Sequence, residues 1–357
     1  MIHTTRGAVL ALLASALLLT GCSAAPAAAP TNGRPDPGAT AAPGASDNRV
    51  ILYSGRAESL IQPLLADFTA QTGITVEVRY AGTAELAAQL VEEGARTPAH
   101  LFLAQDAGAL GVLTKQQLTT TMPDSITRLV PARYRDDAGR WVGVTGRSRV
   151  LAYDSRALTP AQLPASVFDL TKPEWKGKVG IAPTNASFQS FVTAMRVLHG
   201  DAKTAEFLAA LKANDPQLRE RNGVIVGDIE AGAYPLGLVN HYYLFEKAKE
   251  LGRDPGTLHT RLSFFGAGDV GALVNISGVA LTRNQPDADA QALVEHLLSP
   301  AGQAYFAEKT FEYPLVAGVA GPAGVPALGE LKGPDVDLND LDALQRSIEL
   351  IKDAGLA

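Results

Sequence analysis

Four consecutive residues, Asn240-His241-Tyr242-Tyr243, rise above the background of this chain. Two phenols side by side are two oxygen donors, each anionic once it loses a proton, which an isolated tyrosine does at pH ~10. Adjacent tyrosines are also common as packed residues of a strand or a helix start, so residue type alone leaves both readings open. There is no G-x-S-x-G, no H-E-x-x-H and no G-x-x-x-x-G-K-[ST] in the chain. One G-x-G-x-x-G occurs, as Gly266, Gly268 and Gly271 in GAGDVG. β-like ALVNISG follows it, where a dinucleotide site needs a helix N-terminus, so it reads as a loop. His100, His199, His259 and His296 stand isolated, and a centre built on several histidines fits poorly. Tyr153 and Tyr234 read as structural.

The elements that must position these residues alternate between strand and helix. Residues 49–53 (RVILY) read as a buried strand. Residues 58–72 place Leu60, Ile61, Leu64, Leu65 and Phe68 at helical spacing, closed by Gly73. A strand is expected over 74–80, a helix over 85–93 capped by Thr83, a strand over 101–103 and a helix over 107–115. This β-α-β-α-β order implies a mostly parallel sheet covered by helices. A second region repeats it, with strands over 149–153 and 178–181 and helices over 187–198, 202–211 and 243–251. Residues 271–281 return to β-like sequence, and helices are expected over 286–298, 301–309 and 341–353. Two α/β lobes of this kind enclose a cleft in which ligands sit.

Composition limits the rest. The chain has 357 residues, 46% hydrophobic and 19% charged, with a formal net charge of −6. That is globular composition for two domains or one large one, and the acidic balance argues against nucleic acid as partner. One cysteine excludes an intrachain disulfide framework and a cysteine-rich metal site. That residue, Cys22, ends Leu19-Thr20-Gly21-Cys22, which follows Arg6 and an uncharged run over 7–20. The run is shorter than the ~20 residues a membrane span needs. It reads as a signal peptide over 1–21 that ends in a bacterial lipobox, with Cys22 lipidated. Residues 22–47, rich in Ala, Pro, Gly and Ser, read as a flexible tether. The expected location is the outer face of the bacterial cytoplasmic membrane, held by the lipid anchor alone.

The strings LYSGRAE, TGRSRVLAYD, PEWKGKVGIAPTNASF and LVNHYYLFEKAKELG occur in order over most of the globule. In them the chain resembles the bacterial ferric-binding proteins, the substrate-binding components of iron(III) ABC importers. The resemblance implies an α/β, two-lobed periplasmic-binding-protein fold of type II with two interlobe crossovers and a cleft between the lobes. The first lobe would be 48–147 plus 274–323 and the second 148–273 plus 324–357. It implies Fe(III) held by Tyr242 and Tyr243, an ABC permease and ATPase as partners, a monomer, and no enzymatic activity. Fe(III) is hard and prefers anionic oxygen, which phenolate supplies. Two phenolates leave such a site at net charge +1, for neutral or anionic groups to complete.

Here the chain departs from the pattern of the family. Ala57 stands where some members have a histidine, and Gln105 where some have a glutamate, with Asp106 beside it. Gln105 and Asp106 are therefore possible further ligands, Asp106 equally a helix cap. The resemblance implies that a synergistic anion, carbonate or phosphate, completes the sphere. Arg56 and Arg147 are its expected partners, since guanidinium presents paired donors to oxyanions. Surface solvation of Arg56 and an interlobe salt bridge for Arg147 are the competing readings. Thr184, Asn185, Ala186 and Ser187 match the small-residue anion loop before a helix, and Asn222 and Asn240 match further polar contacts. His241 has no role assigned by the sequence. The same fold binding a small oxyanion, a phosphonate or an organic iron chelate is the alternative.

Overall fold

The apolar run RVILY forms β1, Arg49–Ser54, in a computed structural model that describes residues 46–283 and 288–357. The expected signal peptide, Cys22 and the expected tether up to residue 45 lie outside the described residues, as do the first two residues of the helix expected from 286. α1 (Glu58–Thr72) follows β1 and ends at Gly73, left-handed at φ 77°, whose N–H returns to Thr69. β2 (Thr75–Tyr80), α2 (Thr83–Glu93), β3 (Leu101–Ala104) and α3 (Ala107–Lys115) complete the first β-α-β-α-β run. β1 pairs parallel with both β2 and β3. α1 buries Ile61, Leu64, Leu65 and Phe68, the stripe its spacing predicts.

Beyond the short α4 (Asp124–Thr127) lies β4 (Val142–Asp154), thirteen residues with every one buried. It is much longer than the strand expected over 149–153. Its first half pairs antiparallel with β9 (Val274–Leu281), up to Ser148 opposite Val274. Its second half pairs antiparallel with β7 (Leu236–Asn240), from Arg149 opposite Asn240, and with β8 (Thr260–Ser263). β4 thus leaves one sheet and enters the next between Ser148 and Arg149. The first sheet runs β2-β1-β3-β9-β4, with β10 (Tyr313–Pro314) also on β4. The second continues from β4 through β7 to β5 (Val179–Ile181) and β6 (Gln217–Leu218).

The helices of the second region are α5 (Ala186–Ala213), α6 (Asn222–Glu230) and α7 (Tyr243–Glu250). α5 is broken at Gly200 (φ 80°, ψ 162°), which makes it the two helices expected over 187–198 and 202–211. α8 (Ala288–Leu298) and α9 (Pro300–Tyr305) follow β9. The helix expected over 301–309 gives way after Tyr305 to one π turn, Phe306–Thr310. Thr83 is not a cap but the first residue of α2, and its hydroxyl accepts from the Gln105 N–H at 3.1 Å. The chain closes with a turn at Leu338–Asp342 and α10 (Leu344–Asp353). The turn packs on α3 and α10 packs on α5, so the tail touches helices that flank both sheets.

Candidate functional site

Tyr242 and Tyr243 sit where β7 gives way to α7, immediately after Asn240 and His241. Tyr242 is buried and Tyr243 half-buried, and their rings stack with centroids 4.4 Å apart. Burial holds the Tyr242 phenol well above its ordinary value, reinforced by Tyr243 and opposed by Arg147 and Arg56. His241 is structural. Its Nδ1 accepts from the Ser148 N–H at 3.2 Å, so its Nε2–H donates to the Phe311 carbonyl at 2.8 Å. The ring stacks on Tyr313 at 4.5 Å, and burial brings its pKa down to about 4. The imidazole is therefore a neutral clamp between β4, the tyrosine turn and the segment before β10.

Three buried arginines converge on the same region. Gly55 lets the loop after β1 lie against α2, because a Cβ there would meet the Thr83 hydroxyl at 2.0 Å. The next residue, Arg56, is thereby turned inward and is only 6% exposed, which removes the surface-solvation reading. Its Nη2 donates to Glu312 Oε2 at 2.7 Å. Arg147 donates from Nη2 to the Ile276 carbonyl at 2.8 Å, while its Nε and Nη1 have no partner. Arg149 donates from Nη1 to Ser187 Oγ at 2.9 Å and to Asn240 Oδ1 at 3.4 Å, and from Nη2 to the Leu238 carbonyl at 3.2 Å. Its guanidinium lies over the rings of Phe188 and Phe191, both at 5.8 Å. Burial lowers Arg149 to about 9, against the pull of Tyr243 and Tyr242. Arg147 is lowered first by burial and then by the Arg56 charge.

The loop before α5 is ordered by its own side chains. Asn185 caps the helix, accepting from the Ser187 N–H at 3.0 Å and the Ser187 hydroxyl at 2.7 Å. Asn222 Nδ2 donates to Ser187 Oγ at 3.0 Å, so Ser187 is fixed from three sides. Asp106 caps α3 through the Ala109 N–H at 3.2 Å, and burial raises its carboxyl. A small, partly open cavity, with room of about 10 Å³ for a water-sized group, lies among these residues. Gln105, Asp106, Arg147, Ala186, Ser187 and Asn240 line it, while Tyr242 and Tyr243 are not among its lining residues. Arg149, Leu273 and Asn275 line it as well, and the sequence did not single them out. Arg56, Asn185, Asn222 and Thr184 are not among its lining residues, and Thr184 is exposed. Arg149 was findable: in GRSRV it lies two residues from Arg147, and alternate residues of a strand share a face. Glu312 carried no local signal, since its charged partners, Arg56 and Arg147, lie far away in the chain, the first by 256 residues.

Among the described residues no three His, Cys, Asp or Glu side chains cluster as a metal site. The oxygen donors in this region include the two phenols, the Asp106 and Glu312 carboxyls, the Gln105 amide and whatever an arginine-bound anion brings.

Residues 90–329 match the family model described as bacterial extracellular solute-binding protein. The chain is 33% identical over 313 residues to the Fe(3+)-binding periplasmic protein of Serratia marcescens, covering 87% of this chain and 91% of that protein. Iron-bound HitA from Pseudomonas aeruginosa superposes with a TM-score of 0.80 at 31% identity, covering 86% of this chain and 99% of that one. The Trichodesmium protein IdiA (FutA), solved with iron and citrate, superposes at 0.76 with 26% identity, covering 87% and 100%.

Proposed function

This chain belongs to the bacterial extracellular solute-binding proteins, and on that premise we propose that it captures ferric iron outside the cytoplasm and delivers it to an ABC importer. The observation that carries the reading is the stacked tyrosine pair set within electrostatic reach of Arg56, Arg147 and Arg149. Phenolate oxygens satisfy a hard trivalent cation, and nearby guanidiniums make them easier to ionise. Tyr242 and Tyr243 are the metal ligands, with Gln105 or Asp106 as candidates for a further position.

An exogenous anion, carbonate or phosphate, completes the sphere. Arg147 keeps two unpartnered N–H groups for it, and Arg149, Ser187 and Asn240 form the rest of the wall. Arg56 acts through Glu312. The lobes divide as 48–147 plus 274–323 and 148–273 plus 324–357, which the change of sheet at Ser148/Arg149 supports. Closure is a hinge motion about β4 and its neighbour. Lipidation of Cys22 holds the protein, a monomer, at the membrane beside its permease and ATPase. No helix among the described residues is long and apolar enough to cross a membrane.

The test is a titration of the metal-stripped full chain with ferric citrate, with and without bicarbonate, followed in the visible range. A saturable phenolate-to-iron band at one iron per chain is the expected result. A folded protein with no such band overturns the reading.

A further inference from the structure

Glu312 is buried to 1% side-chain exposure in the same region as the arginines. Its Oε2 accepts from Arg56 at 2.7 Å, and the Thr310 hydroxyl lies 3.0 Å from the same oxygen. Its Oε1 has no hydrogen-bond partner and lies 3.9 Å from Arg147 Nε, itself unpartnered. The carboxylate therefore pairs with Arg56 through a hydrogen bond and with Arg147 only as a longer ion pair at 3.9 Å, too far to occupy an Arg147 N–H group. A carboxylate of this kind is an anion the protein carries itself, placed against the cations that an exogenous anion would need.

The backbone holds it there under constraint. Phe311 ends the π turn in the left-handed region at φ 57°, which a bulky residue adopts only when its surroundings impose it. Two contacts impose it. The Phe311 carbonyl receives the His241 Nε2–H at 2.8 Å, and its ring stacks on Phe245 at 4.9 Å and 15°. His241 and Phe245 flank the tyrosine pair in sequence. β10, which starts at Tyr313, is fixed to β4 by the pairing of Tyr313 with Gly146. Glu312 cannot swing out of the site without unpicking the segment that positions the tyrosines.

We propose that Glu312 sets the charge of the anion subsite: it cancels Arg56 and leaves Arg147 and Arg149 to hold an exogenous oxyanion, so that an anion alone binds weakly and binds well only once ferric iron has added its charge. The proposal rests on the reading of the arginine cavity as an anion subsite. It makes Glu312 a positioning residue, acting on the anion through Arg56 and Arg147. A buried unit charge 3.9 Å from the arginine that lines the cavity alters the affinity of an anion held there by about tenfold or more.

The experiment is calorimetric titration of the iron-free full chain, solubilised in detergent, with inorganic phosphate. Glu312→Gln keeps the shape and removes the charge, and should bind phosphate at least tenfold more tightly than wild type. Arg56→Gln leaves the carboxylate uncompensated and should bind at least tenfold more weakly. The double variant, neutral at both positions, should return close to wild type, a rescue that a purely structural role would not produce. Equal or weaker phosphate binding in Glu312→Gln, or no measurable binding in any variant, overturns the proposal. If Glu312→Gln alone does not fold, the double variant decides, because an affinity no better than that of Arg56→Gln has the same meaning. The ferric band of wild type, recorded in parallel, stands apart from this outcome. Its absence would overturn the iron reading and leave the phosphate comparison legible.

Discussion

At the residue scale the site is a contest between burial and charge. Tyr242 is buried, which disfavours its phenolate, and the arginines nearby recover only part of that loss. The metal must supply the remainder. Tyr242→Phe or Tyr243→Phe should therefore abolish the visible band and lower ferric affinity by two or more orders of magnitude, with the far-UV circular dichroism unchanged. Unaltered affinity in both variants would sink the ligand assignment. The same argument fixes the pH dependence. On the proposed assignment each phenol loses its proton to bind iron, and because burial raises the Tyr242 phenol, its proton is still in place at neutral pH in the empty protein. Affinity should then rise with pH, by up to about tenfold per unit for the Tyr242 proton, and fall as the medium is acidified. A flat profile across neutrality would mean that the ligands are not protonated phenols in the empty protein.

At the scale of elements, legibility followed how local the determining forces are. α1 was read from its stripe and its closing glycine because both are set within one turn of the helix. The break of α5 at Gly200 was legible for the same reason. β4 was not. Only its last residues look like a strand, and its centre, Arg147-Ser148-Arg149, looks like a loop until long-range partners satisfy the charges. Asp106 remained ambiguous in sequence between ligand and cap, and in the fold it caps α3 while also lining the cavity. The α5 N-terminus carries a prediction of its own. Asn185→Ala removes the acceptor of the Ser187 N–H and hydroxyl, at a cost of about 1 kcal/mol in stability. It also releases Ser187 from the position in which it meets Arg149. A lower Tm should accompany weaker dependence of iron binding on bicarbonate. A lower Tm with the anion response intact would reduce the loop to a structural cap.

At the scale of the whole molecule, attachment and closure are separable. Cys22→Ala should release the protein from the membrane fraction while leaving iron binding as in wild type. Retention in the membrane would refute the lipid anchor. Closure depends instead on charge balance across the cleft. Three guanidiniums and a ferric ion, set against the Glu312 and Asp106 carboxylates and two phenolates, leave about two units of positive charge uncompensated in a buried site. Such an excess is costly in low dielectric, so lobes closing on iron alone would be driven apart again. A multiply charged oxyanion removes most of it and adds charge-assisted hydrogen bonds to Arg147. Small-angle scattering should therefore show a smaller radius of gyration only when ferric iron and a polyanion such as phosphate or citrate are present together. Iron presented with a chemically inert monovalent anion should bind more weakly and leave the molecule open. Full contraction under that second condition would show that the protein balances its own charge, and the arginines would then be holding the lobes together rather than holding an anion.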